Sequence, residues 1–458
     1  MKRALFLSLI FSFLFSLVSL IRHNHYFSQG NDLGIFTQSA WLYSKGYLLY
    51  NTITERLDFQ DRYKPVMLLL GLLFRFWADP RFLLLIQAFF LSFSGIFVYL
   101  ISKKVGLGDL TIFILVVSYL LFPGITSFII DDFHEVSLFP FFFLGSIYFY
   151  LKRSKLLYIF LLFSLIIRDY LVFFSLVFWL SLLLSKNKAI KNRLLVRAII
   201  VNLLGLVLML TVIKLVGGIT YGSFNSQGDS LFLTILKFIL NPVNLLTSLF
   251  LPTVKLKTIF ISLGYFAFLP LFNFWLIIPI IFQLASRFLD FEHPYRWGLF
   301  YHYSGELAAI LVFGTIVSLR SVSRNSRKYF VALIFSFSLL SIVLFHSPLL
   351  LLMKAEFWEK EDWMKNNDYI LSLVPDDASV ATQNNLVPHL SLRKKIYVLP
   401  TINDADYVIL DLRQGQNRFN FYGLSFEEMK QLQVNLSKRY KLINQKGDAY
   451  LYAKINEK

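Results

Sequence analysis

Residues 110–151 read LTIFILVVSYLLFPGITSFIIDDFHEVSLFPFFFLGSIYFYL. Two apolar runs, 110–130 and 136–151, are parted by only five residues, Asp131-Asp132-Phe133-His134-Glu135. A helix of roughly 20 apolar residues crosses about 30 Å of hydrocarbon. The first run meets that length and the second comes close. Three carboxylates and one imidazole therefore sit between two segments that read as membrane spans.

The rest of the chain extends this reading. Its 458 residues are 56% hydrophobic and 18% aromatic, with 50 phenylalanines, and the mean hydropathy is +0.60. That is too apolar for a soluble protein of this length. There is no cysteine, which excludes disulfides, thiolate catalysis and cysteine-bound zinc. The formal charge of +17 is explained by basic residues crowded into particular short loops, the pattern of cytoplasmic loops. No nucleic-acid partner is expected.

Expected spans are 4–21, 82–101, 110–130, 136–151, 156–168, 171–185, 195–216, 231–250, 258–284, 305–319 and 329–352. The fold class is thus a polytopic α-helical membrane protein of about 11 spans. The start, MKRALFLSLIFSFLFSLVSLI, has a signal-like basic end and apolar core but no small-x-small site after it, so it reads as an uncleaved first span. Lys2–Arg3, Lys103–Lys104, Lys152 to Lys155, Lys186 to Arg197, Lys255–Lys257 and Arg320 to Lys328 are placed inside by the positive-inside rule. Loops 22–63, 131–135, 217–230 and 285–304 then lie outside, together with everything after 353. The alternation holds only if 156–185 is a pair of short helices with Arg168-Asp169 at its outer apex. Segment 64–78, KPVMLLLGLLFRFWA, is short for a span and reads as an interfacial helix.

Two domains follow, 1–352 in the membrane and 353–458 outside it. From Lys354 onward there are 15 basic and 14 acidic residues, a near-neutral soluble composition. SVATQ, KIYVLP, DYVILDL and YKLINQKGDAYLYAKI read as strands. EFWEKEDWMKNNDYILSLV and SFEEMKQLQVNLSKRY read as helices, the latter capped by Ser425. The tail is expected to be a small α/β domain.

Ionisable residues near lipid are costly, which marks them as functional candidates. Asp32, in Gly-Asn-Asp-Leu-Gly, is either the N-cap of a following helix or an active-site acid. Asp131, Asp132 and Glu135 are too few for a calcium cage but enough for part of a divalent site; Asp132 and His134 could instead pair for proton transfer. A plain solvated loop is the competing reading. Arg168-Asp169 is a hairpin tip or, with arginine's bidentate geometry, a phosphate contact. The segment 287–306 adds Arg287, His293, Arg296 and His302 among aromatics that singly read as interface anchors. No phosphate-binding glycine loop, dinucleotide fingerprint or H-E-x-x-H appears, so no nucleotide cofactor is expected.

GNDLGIFTQSAWLYSKG, DDFHEVSLFP, YHYSGELAAI and VATQNNLVPHLSLRKKIYVLP…ADYVILDLR resemble, in order and over nearly the whole chain, a family of prokaryotic membrane proteins classed as domain of unknown function 2079. That family is similar in turn to the GT-C glycosyltransferases, which take a sugar from a polyprenyl-phosphate carrier at the outer face. The resemblance implies a GT-C-like fold in a prokaryotic plasma membrane, N-terminus inside and tail outside. It implies Asp32 as general base and Asp131, Asp132, His134 and Glu135 positioning the acceptor, or a divalent metal on Asp131 and Asp132. Arg168, Arg296 and His302 would hold the departing phosphate, with Asp169 and His25 in support. The partners are then a polyprenyl-phosphate-linked sugar and membrane lipid. Arg168 stands where lysine is frequent in that superfamily, and Asp32 is single where a paired motif is common. Two other readings compete. A transporter or lipid flippase would place its ionisable groups near the bilayer midplane. A non-catalytic scaffold would use the tail alone.

Overall fold

The computed structural model describes residues 1–47, 50–185, 192–217, 237 and 240–455. It is mostly helical, with a small sheet near the C-terminus. Five helices are long and apolar enough to cross a membrane: Lys2–Asn24, Pro80–Val105, Arg193–Val216, His302–Ser321 and Arg324–Leu344. The number rises to seven if each of two bent pairs is one span. Helix length alone thus gives fewer spans than the eleven expected. The difference lies in four apolar helices of 10–17 residues and in the two breaks. One break bends 110–130 by 49°, where Pro123 opens a new turn without an N–H to give the preceding one.

His302–Ser321 is the centre of the bundle, 89% of its apolar window being buried, against 11% for Arg193–Val216 and 22% for Arg324–Leu344. The outer helices keep leucine, valine and phenylalanine facing outward, as lipid contact requires. Helices Leu156–Leu165 and Asp169–Ser181 are separate, with Arg168 extended between them. Segment 64–78 contributes one nine-residue helix, Val66–Phe74. Its Met67, Leu70 and Phe74 face the protein, while Leu68, Leu69, Leu72 and Leu73 face out.

Two expected spans differ. Residues 258–284 are not one helix: Thr253–Tyr265 ends, a short 3-10 turn Leu269–Phe272 follows, and Phe274–Phe288 runs on from it. An apolar run hides this turn because Phe266, Ala267, Phe268 and Pro270 are as greasy as the helices beside them. Of 231–250, residues 231–236 and 238–239 lie outside the described residues; the described helix Pro242–Phe250 buries no side chain. The loop 217–230 is likewise outside them beyond Gly217. Lys255 also differs from its expected side. Its Nζ donates to the carbonyl of Phe288 at 2.7 Å, so it lies at the same end as segment 285–304, not at the opposite one.

The tail forms a five-stranded sheet in the order 396–398, 380–382, 407–411, 449–454, 440–446. The first three strands are parallel and the last two antiparallel to their neighbours. The last helix, Phe426–Leu436, starts in a capping box: Ser425 Oγ accepts from Glu428 N, and Glu428 Oε2 from Ser425 N. The first tail helix is shorter than expected, Asp362–Ser372. A short helix, Val387–Leu390, was not expected at all. It seats the tail on the first long loop. Ile53 and Tyr26 of that loop pack into the tail's core.

Two glycines permit the seating. A Cβ on Gly34 would lie 2.9 Å from Val387 Cγ1, and one on Gly30 would lie 2.8 Å from Val387 Cβ. The two predict different rescue. Gly34→Ala should lower thermal stability in detergent, and Val387→Ala should relieve it, with a coupling of about 0.5–3 kcal/mol. Gly30→Ala should not be relieved, because alanine at 387 keeps the offending Cβ. Equal rescue of both would show that the short helix does not press on this turn.

Candidate functional site

Asp32 sits on a single wide turn, Gly30–Gly34, closed by Gly34 N donating to Gln29 O at 3.2 Å. Such i→i+5 turns recur at functional sites. The helix after it, Ile35–Ser44, has no side-chain cap, so Asp32 does not serve as its cap. Its carboxylate faces His134 instead, with Oδ1 3.2 Å from Nε2. The Asp32 side chain is 36% exposed and that of His134 only 5%. Asp32 is the open end of a buried cluster.

The loop 131–135 supplies most of that cluster. Gln87, fully buried in the helix Pro80–Val105, fixes its backbone. Its Nε2 donates to the carbonyls of Phe128 and Asp132, and its Oε1 accepts from His134 N at 2.9 Å. Asp132 has φ +57°, a left-handed conformation that aspartate tolerates better than most residues. The twist sends neighbouring carboxylates to different partners. Asp131 Oδ2 accepts from His302 N at 2.8 Å and contacts His302 Nδ1 at 2.5 Å. Asp132 Oδ2 accepts from Gln29 N at 2.7 Å, near the Arg22 guanidinium. Glu135 Oε1 lies 2.8 Å from Arg168 Nε, close but off the line of a good hydrogen bond. The rings of His134 and His302 stack, with centroids 3.4 Å apart.

Burial drives both aspartates above the usual carboxylate range, Asp131 against the pull of His134, and Asp132 up to about 7 against the pull of Arg22. Burial also opposes a charge on His134. The hydrogen bond to Asp32 and the charges of Asp32, Asp131 and Glu135 outweigh it, so its pKa is raised. An imidazole whose charge its neighbours favour, beside a partly exposed carboxylate and two acids that burial makes reluctant to ionise, makes a site that can hold or move a proton at Asp32.

The remaining expected residues fall around this cluster. Arg296 is paired with Asp290 at 2.6 Å and lies 5.2 Å over the ring of Tyr303, next to His302. Asp169 begins the helix after Arg168 and accepts from Tyr170 N at 2.8 Å. His25 packs instead against Phe357, 6.4 Å between rings. His293 contacts the same Asp290 at 3.0 Å.

Lys64 and Gln87 escape a reading by sequence, and so do the partners of Arg287. Lys64 is buried and pairs with Asp58 at 2.9 Å, while Tyr43 and Ser39 also donate to Asp58. Burial works against its charge, but Asp58, Asp61 and Glu135 raise its pKa. The signal available was the charged run LDFQDRYKP directly before an apolar helix. Arg287 donates to Ser304 Oγ at 2.8 Å and Gln283 to Glu306 Oε1 at 3.0 Å, a second buried network beside the first. Gln87 was readable only as a lone amide within an apolar run.

A bundle of apolar helices, one end of which gathers ionisable loops under a small α/β tail, defines a multi-pass membrane protein. The chain belongs to the family of predicted membrane proteins DUF2079, whose sequence profile matches residues 22–449. No protein of curated function matches it.

The Glu135–Arg168 contact predicts a sign. Removing one partner of a buried pair costs about 3–5 kcal/mol, because the other charge is left buried alone. Arg168→Gln should cost near the low end, since Lys64 still lies close to Glu135. The double variant Arg168→Gln, Glu135→Gln should unfold closer to wild type in detergent melts. A double variant less stable than both singles would deny the pairing its role.

Proposed function

We propose that this protein is a membrane glycosyltransferase of GT-C type, moving a sugar from a polyprenyl-phosphate carrier to an acceptor at the outer face. The observation that carries the reading is convergence. Asp32, His134, Asp131, His302, Glu135 and Arg168 come from four separate segments, yet a continuous chain of contacts links the first four, and Glu135–Arg168 joins at His134's neighbour. Convergence of titratable groups from distant segments on one spot is what an active site requires.

In this reading the carrier's tail lies among the apolar helices, and its phosphate and sugar reach the bundle end. The acceptor hydroxyl gives its proton to the Asp32 carboxylate, whose accessible position suits it as base. The acceptor oxygen then bonds to the anomeric carbon as the bond from that carbon to the phosphate oxygen breaks. The electron pair leaves with the phosphate. Arg168 offsets Glu135 at rest and, with Arg296 close to His302, supplies positive charge as phosphate charge develops. Asp132 and Glu135 shape the acceptor side, with Asp169 behind Arg168. The eleven-span topology, with the tail outside and the N-terminus inside a prokaryotic plasma membrane, belongs to this proposal. It asks each short apolar helix to cross.

The test is turnover in lipid nanodiscs, read as release of polyprenyl phosphate from a panel of polyprenyl-phosphate sugars. Asp32→Asn should lower it by roughly 10²- to 10⁴-fold, the usual contribution of a general base, while the melting temperature stays near wild type. A variant with normal turnover would sink Asp32 as base.

A further inference from the structure

The proton-transfer reading leaves one feature of the cluster without use. One donor atom each from Asp131, His134 and His302 lies within 4.8 Å of the others. The three side chains come from two segments about 170 residues apart, so local geometry does not force the grouping.

His134 supplies a second, independent observation. Its Nε2 faces Asp32, but its Nδ1 is buried and has no hydrogen-bond partner among the described residues. Leaving such a nitrogen dry and unpaired costs about 1–3 kcal/mol. The ring is also stacked on a second imidazole whose Nδ1 is held by a carboxylate. An imidazole with one nitrogen on a carboxylate and the other bare is the arrangement by which proteins orient a metal-bound histidine.

We infer that Asp131, His134 and His302 form a site for one divalent transition ion of the zinc class, with Asp32 orienting His134 from its far side. Two imidazoles and one carboxylate suit zinc or a similar borderline ion. Magnesium and calcium prefer all-oxygen shells, and the loop offers too few carboxylates turned inward for one. Bonds of about 2.0–2.2 Å in a tetrahedron set donors roughly 3.3 Å apart, so small ring rotations close the site. Three protein ligands leave a fourth position for water or a substrate oxygen. Asp132, whose carboxylate is turned to Gln29, is not a ligand. Lys64, Glu135 and Arg168 lie beside the site without entering it. The inference goes beyond sugar transfer and stands without it.

The full chain, purified in detergent without chelator, is assayed for metal content and then titrated with Co²⁺ as a visible probe. One equivalent of tightly held ion is expected, removed by a chelator and restored by Zn²⁺. Asp32→Asn should keep the stoichiometry and weaken affinity about 10- to 100-fold, the usual effect of removing a histidine's outer partner. His134→Gln with His302→Gln should abolish binding, whereas His389→Gln, in the tail, should leave it intact. X-ray absorption at the zinc edge of the unaltered protein should count two imidazoles. Absence of a tightly held ion, fewer than two imidazoles, or binding lost with His389→Gln and kept without His134 and His302 would each overturn the site.

Discussion

Four titratable side chains lie within the five residues 131–135, and all of them are buried or nearly so. None is paired with another of the four. Asp131 takes His302, Asp132 takes the backbone of Gln29, His134 takes Asp32, and Glu135 takes Arg168. Desolvating an ion costs several kcal/mol unless well-placed partners offset it. The loop is therefore foldable only where the first long loop, the 166–169 break and the start of the central helix all reach it. Those segments have little choice of position once the loop is buried.

The same requirement accounts for helix lengths that a membrane alone would not choose. A single helix through 156–185 would put Arg168 on a wall of side chains. Breaking it leaves Arg168 extended, φ −159°, ahead of the new helix, where it reaches Glu135. Val66, opening the outward-facing helix, donates its N–H to Ile166 O at 2.9 Å, so the break holds two elements in place. Likewise His302 stands at the very start of the buried central helix. Its backbone N–H, which has no partner within the helix, goes to Asp131. One carboxylate thus satisfies a helix end and a ring nitrogen together.

Sequence reading found the elements whose signal is composition. The apolar runs, the neutral tail, the Ser425 cap and the Arg168-Asp169 break all stand where charge or polarity changes. It failed where the chain turns without changing composition, as at Phe266–Asn273. Lys255 was misplaced for a related reason. Its charge was assigned by loop statistics, but three carbonyl and ring contacts hold it, Ser248 O, Phe288 O and the face of Trp297. At the site, the residues were legible and the pairings were not. A polar residue beside lipid announces itself; its partner, a hundred or more residues away, does not. Arg168 is legible in the sequence as a cation beside lipid, but its contact with Glu135 is not. The close approach of Val387 to both Gly30 and Gly34 was equally beyond the sequence.

The turn that carries Asp32 also engages the tail. Three successive N–H groups open its turn, and each leaves the turn for a different acceptor. Gln29 N goes to Asp132 Oδ2, Gly30 N to Asn384 O at 2.7 Å, and Asn31 N to Asn384 Oδ1 at 3.1 Å. Asn384 also donates to Gln29 Oε1 at 2.7 Å. One tail residue thus makes three contacts to the turn, and the buried loop makes the fourth. Lifting the tail would leave two backbone donors without protein acceptors and strip Tyr26 from its packing between Trp363 and His389. A tail that served only as a tether would have no reason to grip this turn. Its grip holds the turn from which Asp32 reaches His134, so the tail is part of the candidate site's support.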